Sequence, residues 1–180
     1  IPPPQYQPIR LQASGKSELK NFTKLEILNQ PVFFHGDAFF AGFYLNEILL
    51  RLCPLEEAML RTFEQYQLTL LQLQQLASHE SAALFLRQIL RQFEHVLLQE
   101  LGYAIDFSVD ASQQEILPLQ HYQFQLNDGF IPVAQASRST IPGSLIATMQ
   151  SYQDGRDFSH EQLQLLGELY RLMISSLLGD

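Results

Sequence analysis

LRQFEHVLLQELGY, residues Leu90–Tyr103, carries the densest pattern in the chain. Apolar residues at Leu86, Leu90, Phe93, Leu97 and Leu101 recur at three- and four-residue steps, which lines them along one face of a helix. Gly102 follows the last of them, where a left-handed residue ends a helix. The stretch is therefore expected to close a buried helix of about Ser81–Leu101. Arg87 and Arg91 lie one turn apart on a different face, with His95 next along it. Like charges at that spacing repel by about 0.2–0.5 kcal/mol, so the pair is a candidate for holding an anionic partner. In the plainer alternative Arg91 pairs with Glu94 at the next turn, and the face is an ordinary solvated one.

Working outward, the helical period continues on both sides. A first helix is expected over about Asp37–Leu52, with Ala38, Gly42 and Asn46 as a stripe of small or polar residues that lets another helix approach. Asn46, if buried there, needs hydrogen-bond partners. Pro54 ends this helix. A second, about Leu55–Ala77, shows Leu55, Met59, Phe63, Tyr66, Leu70 and Leu73 as a seam suited to antiparallel packing. Glu56 and Glu57 open it, where carboxylates favour the helix dipole. Ser78, His79 and Glu80 form a break before the third helix. Tyr122–Leu126 and Phe130–Ala134 alternate around Asn127-Asp128-Gly129, a strong hairpin signal. Pro142 is expected at the N-terminus of a short helix to about Tyr152, and Ser159 opens a last helix ending near Leu178.

Residues 1–30 read differently. Pro2, Pro3, Pro4 and Pro8 exclude helix. Ile9–Gln12 and Leu19–Leu28 read as strands around a turn at Ala13–Ser17. A lone hairpin is marginal in water, so this one is expected either to pack on the helical part of the chain or to be the end of a larger β-domain. The Ile-Pro-Pro-Pro start favours the latter. The expected fold class is thus α+β: a mostly helical domain at 31–180, a bundle of about five helices with a small β-hairpin insert at about 104–140, preceded by β-strands at 1–30.

At 180 residues, 46% apolar and 17% charged, the chain can bury a sizeable core. No run approaches the roughly 20 apolar residues of a membrane span, and no signal peptide is read at the N-terminus. Cys53 cannot form an internal disulfide and fits a reducing compartment and a structural thiol. The net charge of −8 argues against a uniformly nucleic-acid-coating surface. Charge is uneven, however. Before Pro31, Arg10, Lys16, Lys20 and Lys24 outnumber Glu18 and Glu26, and the remainder is acidic.

Enzymatic chemistry finds little support. Ser14-Gly15-Lys16-Ser17 ends like a phosphate-binding loop, but Arg10 stands where that motif needs glycine and a strand follows in place of a helix. It reads better as a cationic hairpin tip. His35, His79, His95, His121 and His160 are scattered without metal-ligand spacing. No serine sits in a nucleophile elbow, and a small hydrolase would need a pocket with convergent His and carboxylate groups. The chain reads as a binding protein, not an enzyme, and neither a cofactor nor a metal is expected.

AGFYLNEILLRL at Ala41–Leu52 and LRQFEHVLLQELGYAIDF at Leu90–Phe107 resemble the signature segments of the bacterial recombination and repair mediator RecO. YQFQLNDGFIPV at Tyr122–Val133 is similar to the corresponding family segment. Glu47, Arg51, Phe93, Glu94, Leu98, Gly102 and Tyr103 fall on the family pattern, and the resemblance runs from about Pro8 to Leu178.

This resemblance implies an N-terminal OB-fold barrel followed by a helical domain, in a DNA recombination and repair protein of the RecF pathway. It implies binding of single- and double-stranded DNA, annealing of complementary strands, and action with RecR so that RecA loads onto DNA coated by single-strand-binding protein. Residues 1–30 would be the closing strands of the barrel, with its first strands and a basic C-terminal tail absent from this chain. Arg10, Lys16, Lys20 and Lys24 would contact phosphates, since OB folds use a cationic groove and stacking aromatics; Phe22 is a weaker stacking candidate. Arg91 would hold the acidic, phenylalanine-ended tail of single-strand-binding protein beside an apolar groove, with Arg87 steering it and His95 at the rim. Some family members hold zinc with four cysteines. Here Asp110 stands where the first would be, and no zinc is expected. The implied location is the bacterial cytoplasm, with the nucleoid and no membrane. The alternative is a helical adaptor that binds only protein, without direct DNA contact.

Overall fold

A computed structural model describes residues 4–16, 20–150 and 156–179. Its elements run β1 (Ile9–Ser14), β2 (Asn21–Ile27), α1 (Asp37–Leu52), α2 (Leu60–Gln74), a short 3-10 turn at Leu76–Ser78, and α3 (Ala82–Glu100). They continue with β3 (His121–Gln125), β4 (Gly129–Val133), β5 (Ile141–Pro142), α4 (Gly143–Gln150) and α5 (His160–Leu178). Among the described residues, five helices and two small antiparallel sheets make an α+β fold, as the periodicity predicts. Ser17–Leu19 of the expected turn and strand, and residues 151–155, which take in the expected helix end at Tyr152, lie outside the described residues.

The core gathers around α3. Ile89, Phe93 and Leu97 are buried there against Leu45 and Ile48 of α1, Leu73 of α2, Ile146 of α4, and Leu166 and Leu169 of α5. Truncating one such side chain, Phe93, to alanine would cost about 3–5 kcal/mol. The stripe read from the sequence is one edge of a wider face. Leu86, Leu90 and Leu101 are only partly buried, while Gln88, Glu94 and Leu98 are fully so, because α3 is packed by α2 and α5 at once. Gly102 takes φ +85°. The Gly102 N–H donates to the Gln99 carbonyl and the Tyr103 N–H to that of Leu98, closing the helix in a Schellman motif.

Two expectations for α2 are corrected. Its seam runs through Thr62, Tyr66, Thr69 and Leu73, whereas Leu55 is 93% and Phe63 57% exposed. The compact threonines on that seam let α2 lie along α3. Nor do Glu56 and Glu57 open the helix. Leu55–Met59 is a loop in which Glu56 adopts φ +63°, outside helical space. The helix begins at Leu60, where Glu100 of α3 accepts the backbone N–H groups of Arg61 (3.2 Å) and Thr62 (2.6 Å). That carboxylate satisfies two of the donors a helix start leaves open.

The small-residue stripe on α1 also finds a different occupant. The Tyr6 ring and Phe34 pack over Gly42, where a Cβ would meet the Tyr6 hydroxyl at 2.6 Å. Asn46 does find a partner, its Oδ1 accepting from the Tyr66 hydroxyl at 2.6 Å.

β3 pairs with β4 in the register Tyr122↔Pro132 and Phe124↔Phe130, closing the expected hairpin. β3 also pairs with β5 through Tyr122↔Ile141, which makes a three-stranded sheet. Pro142 is thus the last residue of an edge strand and not the first of a helix. Gly143 opens α4, and a Cβ there would lie 2.1 Å from the Leu117 carbonyl oxygen. Ser159 caps α5 in a full capping box with Gln162. Asp110, at the position compared with a zinc-binding cysteine, accepts the N–H groups of Ser112 and Gln114 and so organises its own loop.

β1 and β2 form a two-stranded ribbon with segregated faces. Ile9, Leu11 and Ala13 oppose Ile27, Leu25 and Phe22, whereas Arg10, Gln12 and Ser14 oppose Glu26, Lys24 and Asn21. A bulge at Thr23, whose hydroxyl donates to the Gln12 carbonyl, keeps Phe22 on the apolar face. Phe22 is 71% exposed, because no further strand covers that face among the described residues.

Candidate functional site

Arg91 and Glu94 sit one turn apart on α3, and their side chains meet. Arg91 Nη2 donates to Glu94 Oε1 at 2.7 Å. The same oxygen accepts from the Tyr44 hydroxyl of α1 at 2.6 Å. The pairing anticipated from spacing therefore exists, but not on a solvated face: Glu94 is 1% exposed, and the Arg91 side chain 17%. Glu94 Oε2 is buried with no hydrogen-bond partner among the described residues.

Burial pushes the Glu94 carboxyl up to about 7, and Arg91, the Tyr44 hydrogen bond and Arg171 of α5 hold it back from going further. Tyr44 is raised as well, first by burial, then by the charge and hydrogen bond of Glu94. It therefore acts as a hydroxyl donor. Gly167 of α5 lies beneath the guanidinium, where a Cβ would stand 3.5 Å from Arg91 Nη1.

These groups line a cleft of about 370 Å³ between α1, α3 and α5. Arg91, Arg171 and Glu94 supply its charge, and Leu90, Ile174 and Leu178 its apolar wall. Two guanidinium groups beside one carboxyl leave a net positive site next to an apolar surface. That combination suits an anion attached to an apolar group. A larger cleft of about 630 Å³ lies between the β5–α4 segment and α5, but hydroxyl groups and mixed charges such as Arg138, Glu161 and Glu168 line it.

The other residues singled out from sequence do not converge on the Arg91 cleft. Arg87 is exposed and does not line it. His95 points into the bundle, its Nδ1 2.6 Å from the Tyr170 hydroxyl and its Nε2 2.9 Å from the Gln99 amide nitrogen. The ring is half-buried against α5 and does not line the Arg91 cleft.

On the ribbon, Arg10 and Lys24 share the polar face, both beside Glu26 at 3.4 and 4.0 Å. Lys20 pairs with Glu56 at 2.6 Å, and Lys16 is exposed near the turn. Tyr44 and Arg171 were not foreseen. The one signal for α5 was its interior glycine, Gly167, since a helix keeps such a residue where something packs closely. For Tyr44 the sequence holds no signal. Among the described residues no group of three or more His, Cys, Asp or Glu is placed to hold a metal, and no helix is long and apolar enough to cross a membrane.

A helical bundle built on α3, with a three-stranded insert and a buried Tyr–Glu–Arg cluster, defines the class of domain. The family described as "Recombination protein O C terminal" matches residues 34–177. The chain is 32% identical over 176 residues to the DNA repair protein RecO of Pseudoalteromonas translucida (strain TAC 125), covering 97% of this chain and 71% of that protein. It is 39% identical over 150 residues to the DNA repair protein RecO of Pseudomonas putida (strain W619), covering 83% and 63%. Against that of Cellvibrio japonicus (strain Ueda107) it is 36% identical over 168 residues, covering 92% and 67%. The chain thus spans roughly two thirds of the length of these relatives. It belongs to the RecO family.

Proposed function

We propose that this chain acts in a DNA repair and recombination mediator, and that its Arg91 cleft docks the acidic, phenylalanine-ended tail of single-strand-binding protein. The observation that carries the reading is a guanidinium held in a cleft beside an apolar wall, at the arginine of the family's Leu-Arg-x-Phe-Glu segment. The tail carboxylate pairs with Arg91, and its ring lies against Leu90, Ile174 and Leu178. Arg87, exposed on the same helix, steers the acidic peptide. His95 serves by tying α3 to α5.

The ribbon at 1–30 is the closing pair of an OB barrel, and 31–180 is the helical domain with its insert. The apolar face of β1 and β2 supports this, since it is patterned for burial by further strands. Arg10, Lys16, Lys20 and Lys24 contact phosphates of single- and double-stranded DNA. In this role the protein anneals complementary strands and, with RecR, helps RecA load onto coated DNA. Fluorescence anisotropy with a labelled tail peptide tests the docking site. Arg91→Ala weakens binding by about 1.5–3 kcal/mol, as for loss of a charged hydrogen bond, and affects annealing of bare DNA much less. Equal affinity of variant and parent removes Arg91 from the site.

A protein-only adaptor is the second reading. Phe39, Phe40 and Phe43 stay exposed near the start of α1 and form an aromatic patch suited to a protein surface.

A further inference from the structure

Glu94 holds Arg91 in the cleft, and an arriving carboxylate has to share that guanidinium. The acceptor already placed there is 1% exposed, and only one of its two oxygens has donors. A second carboxylate beside it adds repulsion, which the burial of Glu94 strengthens. The charged groups facing Glu94 are Arg91 on its own helix and Arg171 on α5, with the Tyr44 hydroxyl from α1. Arg171 compensates part of the added charge. Among the described residues nothing facing the carboxyl supplies Oε2 with a donor.

We infer that the cleft takes up its anionic ligand together with a proton, which solvent delivers to Glu94 Oε2 as Arg91 turns from Glu94 to the ligand. Glu94 is thereby the gatekeeper of the site: ionised it occupies Arg91, and neutral it releases Arg91. The inference rests on the tail-docking reading above and names its regulation. The proton adds to Oε2, the Tyr44 hydrogen bond to Oε1 is kept, and no other bond changes. A neutral carboxyl converts Oε2 from an acceptor without a donor into a hydroxyl that donates. The carboxyl is already poised for this, since burial has raised it to about 7.

The consequence is affinity that falls as pH rises. For one linked proton, binding weakens about fivefold between pH 7 and pH 8, and uptake at pH 7 is about half a proton. Isothermal titration calorimetry with an N-acetylated acidic peptide ending in phenylalanine reads both. Titrations at one pH in phosphate and in Tris, whose ionisation heats differ, give the proton count. Glu94→Gln, the isostere of the neutral acid, binds with no pH dependence and no proton uptake.

Uptake that persists in Glu94→Gln assigns the proton elsewhere and overturns the inference. Binding to the parent without buffer dependence overturns it too and leaves the docking reading standing. No binding between pH 6 and pH 8 removes the docking reading and the inference together. Should Glu94→Gln not fold, the carbon-13 shift of the Glu94 carboxyl in the parent decides. Added peptide moves it to the protonated position at pH 7.5, and a shift that stays ionised overturns the inference.

Discussion

Glu100, at the end of α3, accepts the backbone N–H of Thr62 at 2.6 Å and so caps a helix to which it does not belong. The residue at the cap position of α2, Met59, offers no side-chain hydrogen bond of its own. Glu100→Ala is expected to destabilise the protein by about 1 kcal/mol, the usual loss for a removed N-cap. The effect depends on pH. Burial opposes ionisation of Glu100, but the hydrogen bonds from Thr62 and Arg61 prevail and lower its pKa. Its contribution is therefore full above the ordinary carboxylate range and is lost as pH falls from there through its lowered folded value. Urea unfolding of parent and variant at neutral and acid pH reads the difference.

Tyr44→Phe removes one of the two donors to Glu94 Oε1. A loss of about 1–3 kcal/mol is expected, since a buried acceptor is left with less compensation. The Glu94 carboxyl should move above its value of about 7, because the Tyr44 hydrogen bond is among the groups that lower it. Carbon-13 NMR of the carboxyl follows that shift directly, and an unchanged titration removes Tyr44 from the cluster.

Glu94 makes the folded state lose stability as pH rises. Its carboxyl titrates at about 7 when folded, against an ordinary 4.5, so the folded chain holds more protons between those values. Stability from this group declines through that window and levels off above it. The total is about 3 kcal/mol as an order of magnitude. Glu94→Gln lacks the slope. Between pH 5 and pH 7.5 its unfolding free energy should gain on the parent by that amount.

Two helical glycines should respond oppositely to alanine. At Gly143 the added Cβ would stand 2.1 Å from the Leu117 carbonyl oxygen, a backbone atom that cannot move aside alone. Gly143→Ala is expected to cost about 3 kcal/mol or more through overpacking. At Gly167 the added Cβ meets Arg91 Nη1 at 3.5 Å, an ordinary contact. Gly167→Ala should stabilise by about 0.5–1 kcal/mol through helix propensity. Thermal unfolding of the two variants separates them.

Much of the bundle is legible from periodicity and caps. Gly102 ends α3, Ser159 opens α5, and Pro54 stops the chain just beyond α1, each by local chemistry. The start of α2 was not legible, because its cap comes from Glu100, 38 residues away. β5 was missed because two residues carry no period, and only pairing with Tyr122 makes them a strand. The cleft was half legible. Arg91 and Glu94 are neighbours on one helix, whereas Tyr44 arrives from α1 and Arg171 from α5 through packing that no local pattern encodes.

The segregated register of the β1–β2 ribbon has a practical consequence for genetics. Arg10 and Lys24 sit in a layer of side chains that shares no pair with Leu11, Phe22, Leu25 or Ile27. Charge reversals at the first two leave the hydrophobic pairing untouched, and polar replacements at the other four leave the cations in place. The ribbon is thus already divided into two independently editable halves, so changes to its polar face and to its apolar face are obtainable as separate alleles.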